Sequence, residues 1–184
     1  MSDPFDNPEA SSFALPFRTR PFDLLRDAVI PYPVRPVRPQ TLAAADLLAA
    51  VGELALRGVR GVRDVTLAFW REHELLAEVS TDDDLSEVVG AHDVTRPGPV
   101  ADVLRSGGMV HLPDLDREPR WPDAARELRV RGVRSCAAAA LRRPRFSLAV
   151  VVYSPGPLSG VQDLDVLLGE WVAAVVRARV RGVV

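Results

Sequence analysis

Two consecutive segments, SCAAAAL at residues 135–141 and FSLAVVVYS at residues 146–154, constrain the fold more than any other part of the sequence. The second segment contains the run of β-branched residues that is typical of a buried central strand. A strand of this kind needs a covering layer on each face of its sheet. We therefore expect a sheet at the centre of the domain, with helices and loops supplied by the rest of the chain.

The remaining segments predict the elements around these two strands. Pro99 and Pro122 each suit the first turn of a helix, and glycines follow both segments at the positions where helices end. In order, the sequence predicts a helix at 41–58 capped by Thr41, strands at 65–70 and 74–80, a short helix with a capping box at 84–87, a helix from Pro99, a strand at 109–112, a helix from Pro122, the two strands named above, and a closing helix from about Ser159 to Val180. This order predicts an α+β fold with one antiparallel sheet.

The first forty residues have a different composition. They hold eight of the sixteen prolines, and the run PYPVRPVRP at 31–39 favours an extended polyproline-like form over helix or sheet. We therefore expect an extended Pro-rich tail over residues 1–40 and one domain over residues 41–184. Within the tail, Phe22, Leu25 and Val29 have the spacing of a short helix that could pack on the domain or on a protein partner.

Composition argues against several classes of function. A single cysteine, Cys136, excludes a disulfide framework and a cysteine-rich zinc site, and we expect it to be a small buried thiol. His73, His92 and His111 are scattered, without the spacing of metal ligands. The chain has neither a phosphate-binding glycine loop nor a nucleophile elbow, so we expect no catalysis. With no long apolar run and no secretory signal, we expect a cytoplasmic protein without membrane contact.

The charges are unevenly distributed although the net charge is only −2. All 23 basic residues are arginine, which is typical of a GC-rich genome such as an actinobacterial one. The region 117–145 is rich in arginine, whereas 72–93 is acidic and contains none. The arginines after Pro122 fall mostly on the outer side of a helix and its exit, where a solvated face is expected: Arg126, Arg129, Arg131 and Arg134. The net charge disfavours nucleic-acid binding, which stays open as an alternative for this surface.

The closing helix has apolar residues on two opposite sides. Leu164, Leu167, Leu168, Trp171, Val175 and Ala178 form an inner arc that should face the sheet. Gly169, Val172, Ala173, Val176 and Val180 form an outer arc. A monomer would expose the outer arc and much of the 41–58 helix as an apolar patch, so we predict a homodimer through these two helices. Alternatively, the Pro-rich tail covers the patch.

The combination of Gly98-Pro99, PDLDREPRWP at 113–122, GVRS at 132–135 and VVYSPGPLS at 151–159 before a long helix resembles a GAF domain. It is most similar to the GAF domains of actinobacterial GAF-ANTAR regulators. The resemblance covers roughly residues 41–181. Because the chain ends at Val184, we expect it to lack the ANTAR module that would follow the closing helix.

The resemblance implies a GAF-like antiparallel sheet with the N- and C-terminal helices on one face, and short helices and loops bordering a pocket on the other. The pocket would lie between the sheet and residues 98–132, with Phe69, Trp121 and Cys136 as candidate ligand-binding wall residues. In the same block, Asp114 and Asp116 could pair with arginines or cap backbone amides. No cofactor is indicated.

The resulting interpretation is a non-enzymatic regulatory or sensory module that binds a small molecule or a protein partner in signal transduction. The alternative is a structural dimerisation or adaptor protein with a vestigial GAF pocket. The alanines at 137–140 fit either reading, because small side chains can widen a cavity or let a helix close on the strand.

Overall fold

The computed structural model describes residues 34–35, 42–72, 74–88 and 97–180. Within these ranges the chain forms strands β1 (Val34–Arg35), β2 (Asp64–Arg71), β3 (Glu74–Ser80), β4 (Met109–Leu112), β5 (Ser135–Arg143) and β6 (Phe146–Ser154), and helices α1 (Leu42–Gly58), α2 (Asp83–Val88), α3 (Pro99–Ser106), α4 (Pro122–Val130) and α5 (Leu164–Val180). A 3₁₀ turn spans Leu115–Arg117. The α+β class and the order of elements from α1 onward are confirmed, and β1 is an addition.

The strands form one open antiparallel sheet in the order β1-β3-β2-β6-β5-β4. Strand β6 lies between β2 and β5; it pairs with β5 along its whole length and with β2 from Phe146 to Tyr153. Val150, Val151 and Val152 are at most 1% exposed, because helices cover both faces of the sheet at this strand. The prediction of a buried central strand is confirmed.

Helices α1 and α5 cover one face of the sheet. Their inward side chains join those of Val65, Leu67, Val150 and Val152 in one apolar core. Glycines let α1 approach closely, since a Cβ on Gly52 would lie 3.1 Å from Leu67 Cδ1. Residues 48–55 of α1 are buried within the single chain. Helix α1 is therefore buried on more than one side within the monomer, and the prediction that a monomer would expose much of it is wrong.

Helices α2, α3 and α4 and the 3₁₀ turn cover the other face. A second apolar core there includes Trp70, Val103, Leu112, Leu128 and Tyr153. The sheet thus separates two cores, which is the layered arrangement that the sequence predicts. Among the helices of the described residues, none is both long and apolar enough to span a membrane.

Two predicted helix starts are wrong. Helix α2 begins at Asp83, and the Asp82 carboxylate accepts a hydrogen bond from the backbone N–H of Asp84 at 3.0 Å, because the earliest aspartate of the run takes the capping role. Helix α5 begins at Leu164 instead of near Ser159. Gly160 has a φ of 75°, and Ser159 forms an isolated β-bridge with Arg60, so the segment before α5 is held in a non-helical path.

Strand β1 lies within the proline-rich run for which the sequence favours no sheet. Val34 pairs with Val79 and Arg35 with Glu78 at the edge of β3. This pairing is feasible because neither residue is a proline, so each retains the backbone N–H that proline lacks. The rest of the predicted tail, with its proposed helix around Leu25, and the Thr41 cap lie outside the described residues.

Candidate functional site

The face of the sheet covered by α3 and α4 is where the sequence predicts a pocket. Helix α3 begins with Pro99 and ends at Ser106, and the φ of 71° at the following Gly107 lets its N–H donate to the Val103 carbonyl at 2.8 Å. Helix α4 begins with Pro122, directly after Trp121. Both helices are therefore short and sharply bounded, and they pack against the sheet through their apolar residues.

The centre of this face is packed with side chains. Leu112, Leu115, Leu128 and Tyr153 are at most 1% exposed, and Trp121 is 7% exposed. On β5, the alternate alanines Ala138 and Ala140 belong to this core, and α3 packs directly on the strand. The small side chains thus let a helix close on β5.

The three predicted wall residues do not share a pocket. Phe69 lies half-buried on the α1 and α5 side, where its ring stacks on Phe146 with centroids 5.6 Å apart. Trp121 and Cys136 lie in the second core. The grouping of Phe69 with them is wrong, because Phe69 shares the face of Val65 and Leu67, which contact the other layer.

Cys136 is fully buried on β5, and this burial raises the pKa of its thiol to about 12. A thiol at this pKa is almost entirely protonated at neutral pH and is a poor nucleophile. The expectation of a small buried thiol is confirmed.

Trp121 is held by a charged pair at its outer edge. The Arg120 guanidinium lies 4.5 Å from the Trp121 ring centroid and donates to both oxygens of Glu118 at 2.8 Å. These hydrogen bonds lower the pKa of the Glu118 carboxyl, whose side chain is only 6% exposed. The arrangement closes the second core over Trp121 and acts as a framework.

A chain of buried hydroxyl groups crosses the same core. The Tyr153 hydroxyl donates to Thr66 Oγ1 at 3.1 Å, and the Thr66 and Ser80 hydroxyls share a hydrogen bond of 2.8 Å. Ser80 donates to the backbone carbonyl of Asp82 at 2.6 Å, next to the start of α2. Burial raises the pKa of Tyr153 well above its ordinary value. These hydrogen bonds connect the sheet to α2. They were not predicted from the sequence, although a tyrosine near the end of the β-branched strand β6 was an available signal.

A cavity of about 260 Å³ lies beside the C-terminal half of α3. We call it the α3 cavity. Its lining residues come from β2 and the turn after it, from α3, and from the β5–β6 hairpin: Trp70, Glu72, Ala101, Leu104, Arg105, Arg142 and Ser147. The cavity borders the predicted segment 98–132, but none of the three predicted wall residues lines it. Trp70 faces it because strand alternation turns this residue away from the side of Phe69.

Charged groups surround the rim of the α3 cavity. Arg105 pairs with Asp102 at 2.6 Å, and Nη1 of Arg142 donates to the Arg105 carbonyl at 3.2 Å. Glu72 has a φ of 55°, which is uncommon for a residue with a side chain, and its N–H donates to the Arg145 carbonyl at 3.1 Å. These contacts connect the β2–β3 turn, the β5–β6 turn and the end of α3 around one opening.

The two arcs of α5 differ in burial as the sequence predicts. In the inner arc, Leu167 is half-buried and the other members are buried. In the outer arc, Gly169, Val172 and Ala173 are half-buried, whereas Val176 is 45% and Val180 83% exposed. Together with Val166, which is 57% exposed, the outer side carries apolar or small residues at 166, 169, 173, 176 and 180. This alternation of three- and four-residue steps is the spacing of a helix–helix seam.

The arginine-rich surface of α4 is largely paired within the chain. Arg126 pairs with Asp123 at 3.0 Å, while Asp116 contacts both Arg129 at 3.3 Å and Arg134 at 3.2 Å. The expectation that Asp116 pairs with arginines is confirmed. Asp114 does both things expected of it: Oδ1 accepts the N–H of Asp116 at 2.9 Å, and Oδ2 lies 3.5 Å from Nε of Arg117.

The histidines form no shared site in the described residues. His111 lies half-buried on β4, and burial lowers its pKa. His73 and His92 lie outside the described residues. Across the part of the chain that the structure describes, no three His, Cys, Asp or Glu side chains form a group that could hold a metal ion.

Solved structures with a similar fold include the N-acylhomoserine lactone dependent LuxR family transcription factor CepR2 from Burkholderia cenocepacia. That match has a TM-score of 0.54 and 15% identity, and it covers 86% of this chain and 89% of the other. The GAF domain/HD domain protein from Geobacter sulfurreducens matches with a TM-score of 0.51 and 14% identity over 77% of this chain and 97% of the other. The fold is GAF-like. No protein-family model and no curated protein sequence matches the chain, so the likeness lies in the fold.

Proposed function

We propose that the chain is a non-enzymatic sensory module of signal transduction. It binds a small molecule in the α3 cavity and acts through a homodimer formed by the outer arc of α5. The observation that carries this proposal is the apolar seam that is exposed among the described residues of a GAF-like fold whose other face holds a cavity. The Burkholderia neighbour of this fold is described as ligand-dependent, which supports a sensory use of the architecture.

A non-enzymatic role is supported by the state of the candidate nucleophile. Cys136 is buried among alanines with a pKa of about 12. The Tyr153 hydroxyl is likewise buried and already hydrogen-bonded to Thr66. An activated nucleophile instead needs a nearby base and access to substrate.

The homodimer is supported by the shape of the outer arc as well as by its exposure. A Cβ added to Gly169 would meet no atom within 4 Å, so there is open space in front of the middle of the arc. Small side chains at the centre of a seam let two helices approach closely, and valines on either side supply apolar area. A second copy of α5 would bury this seam in a two-fold interface.

Light scattering at micromolar concentration tests the dimer. We expect the unmodified protein to be a dimer and Val176→Arg to be a folded monomer with an unchanged circular dichroism spectrum. Val130→Arg is the matched control, because Val130 is 81% exposed on α4, away from the seam, and this variant should stay dimeric. A monomeric unmodified protein, or a Val176→Arg variant that remains dimeric, would refute the proposed interface.

A structural dimerisation or adaptor protein with a vestigial pocket is the second candidate. The packed centre of the second core favours it, because Trp121 and the leucines there occupy the region where a larger pocket would lie. Native mass spectrometry of freshly purified protein separates the two candidates. A small molecule that copurifies supports the sensory module, whereas a ligand-free dimer that no small molecule stabilises supports the adaptor.

The sequence resemblance adds finer proposals. The chain would act in the cytoplasm as a relative of the GAF domains of actinobacterial GAF-ANTAR regulators, and its Pro-rich tail would contact a protein partner. We do not propose nucleic-acid binding, because Arg126, Arg129 and Arg134 already pair with aspartates. If the arginines contacted phosphates, the affinity for nucleic acid would fall steeply between 50 and 200 mM salt. Tight binding to DNA or RNA would contradict this view if the Arg129→Glu substitution weakened it.

A further inference from the structure

We propose that the α3 cavity binds a small organic monocarboxylate with an apolar moiety, and that Arg142 holds the carboxylate. This inference rests on the proposed sensory function, because it names the ligand class of the cavity. It is carried by the lining residues, their strand register and the charges at the rim.

Strand register builds the base of the cavity. Trp70 on β2 lies opposite Ser147 on β6, and Ser147 lies opposite Arg142 on β5. An indole, a hydroxyl and a guanidinium are therefore aligned across three adjacent strands, while Ala101 and Leu104 of α3 close the other side. Trp70 is 3% and Ala101 5% exposed, so the apolar part of the cavity is fixed by the surrounding core.

Arg142 supplies the positive charge. The neighbouring Arg105 is already paired with Asp102 at 2.6 Å. Arg142 instead donates from Nη1 to the backbone carbonyl of Arg105 at 3.2 Å, which orients the guanidinium while leaving its other N–H groups for a ligand. A guanidinium binds a carboxylate through two parallel hydrogen bonds, and the Ser147 hydroxyl can donate a further one.

Size and the remaining charge restrict the ligand further. A volume of about 260 Å³ lies below the range of roughly 300–1,000 Å³ for pockets of drug-sized ligands, so the ligand is small. Glu72 lines the same cavity and repels a second negative charge. A monocarboxylate with a short aliphatic or aromatic moiety fits these conditions better than a phosphate or a dicarboxylate.

Protein-observed NMR titration of the full chain tests the proposal. The probes are hexanoate and phenylacetate, with hexanamide and phenylacetamide as uncharged counterparts and inorganic phosphate as a more highly charged anion. We expect saturable shifts of the Trp70 indole N–H with both carboxylates. The two amides and phosphate should bind at least about tenfold more weakly, because they lose the charged hydrogen bond or meet Glu72.

Variants assign the anchor. Arg142→Ala should weaken hexanoate binding at least about tenfold, and Arg142→Lys should retain part of the affinity. Arg143→Ala is the control, since it removes another exposed arginine that does not line the cavity and whose Nη1 donates to the backbone carbonyl of Arg142, and binding should be unchanged. Leu104→Trp fills the cavity from α3 and should abolish the shifts, which provides a second test should the Arg142 variants fold poorly.

Four results would each overturn the proposal. Hexanoate and hexanamide could bind with equal affinity, or phosphate could bind more tightly than hexanoate. Arg143→Ala could lose as much hexanoate affinity as Arg142→Ala, or hexanoate could give no saturable shift up to about 10 mM. These results are separate from the test of the sensory module. An uncharged molecule that copurifies with a dimer would refute the carboxylate while leaving the sensory function in place. Carboxylate binding to a monomeric protein would support the ligand class while refuting the proposed function through a homodimer.

Discussion

Replacing Trp171 with alanine should be the most informative test of the helical layer. Trp171 is 8% exposed and lies against the end of α1, where a Cβ on Gly58 would be 3.1 Å from its Cζ2 atom. Because Gly58 has no side chain that could move into the space, the void left by the indole should stay largely open. Truncation of a buried tryptophan to alanine costs about 3–5 kcal/mol, and we expect the full range to apply here.

The loss is measurable by urea unfolding followed by circular dichroism at one protein concentration, because dimerisation makes stability depend on concentration. For a chain of this length, about 2–4 °C per kcal/mol also gives a fall of roughly 6–20 °C in the melting temperature. Val172→Ala is the control, since Val172 is the next residue but only half-buried, and its loss should stay below about 1.5 kcal/mol. A loss below about 1.5 kcal/mol for Trp171→Ala would refute the reasoning.

A double-mutant cycle tests the contact itself. In the unmodified protein a new methyl group at Gly58 presses on the indole, whereas in the Trp171→Ala background it enters the void. Gly58→Ala should therefore be at least about 0.5 kcal/mol more favourable in that background, which is within the range of residues in contact. Additive free energies would show that the two residues do not touch.

Three further predictions concern groups with perturbed surroundings. At pH 8 a pKa of about 12 leaves roughly a thousandfold less thiolate than an ordinary cysteine has. Iodoacetamide should therefore label Cys136 far more slowly in folded than in urea-unfolded protein, as followed by mass spectrometry; comparable rates would contradict its burial. Because Arg120 lowers the Glu118 pKa, this carboxylate stabilises the fold above the ordinary glutamate pKa and loses that effect as the pH falls through its folded pKa. The stability difference between the unmodified protein and Glu118→Gln, measured by urea unfolding, should be constant from pH 6 to 8 and should shrink as the pH falls below about 4.5; a difference that does not shrink at all would show that the ion pair is not its source. Tyr153→Phe should lower the free energy of unfolding by about 0.5–1.5 kcal/mol in the same assay, because Thr66 loses one hydrogen bond, and an unchanged stability would contradict the bond.

Local sequence patterns were sufficient for most of the fold. Strands β4 and β6 have the predicted bounds, since glycines, prolines and β-branched runs determine where such elements begin and end. The start of α5 was wrongly predicted near Ser159 because a serine before an apolar helix is only a local signal, whereas the bridge from Ser159 to Arg60 is a tertiary contact.

The site was less predictable for the same reason. Alternation along β2 places Phe69 on the same face as Val65 and Leu67, but alternation alone does not say which layer covers that face. Trp70, Ser147 and Arg142 meet only through register across three strands that are distant in sequence. No local pattern encodes that meeting, so the α3 cavity required the three-dimensional structure.

The alanine run of β5 places only small side chains between the two helical layers. Ala137 and Ala139 face the core of α1 and α5, while Ala138 and Ala140 face the core that α3 covers, and both α3 and α5 pack on the strand. A methyl group has no rotamers with which to absorb a shift, and close-packed interiors transmit strain. A small displacement of α3 by a bound molecule would therefore pass through the backbone of β5 to α5 with little damping. In mechanical terms, β5 would couple the position of α3 beside the cavity to the position of α5, whose outer side carries the seam.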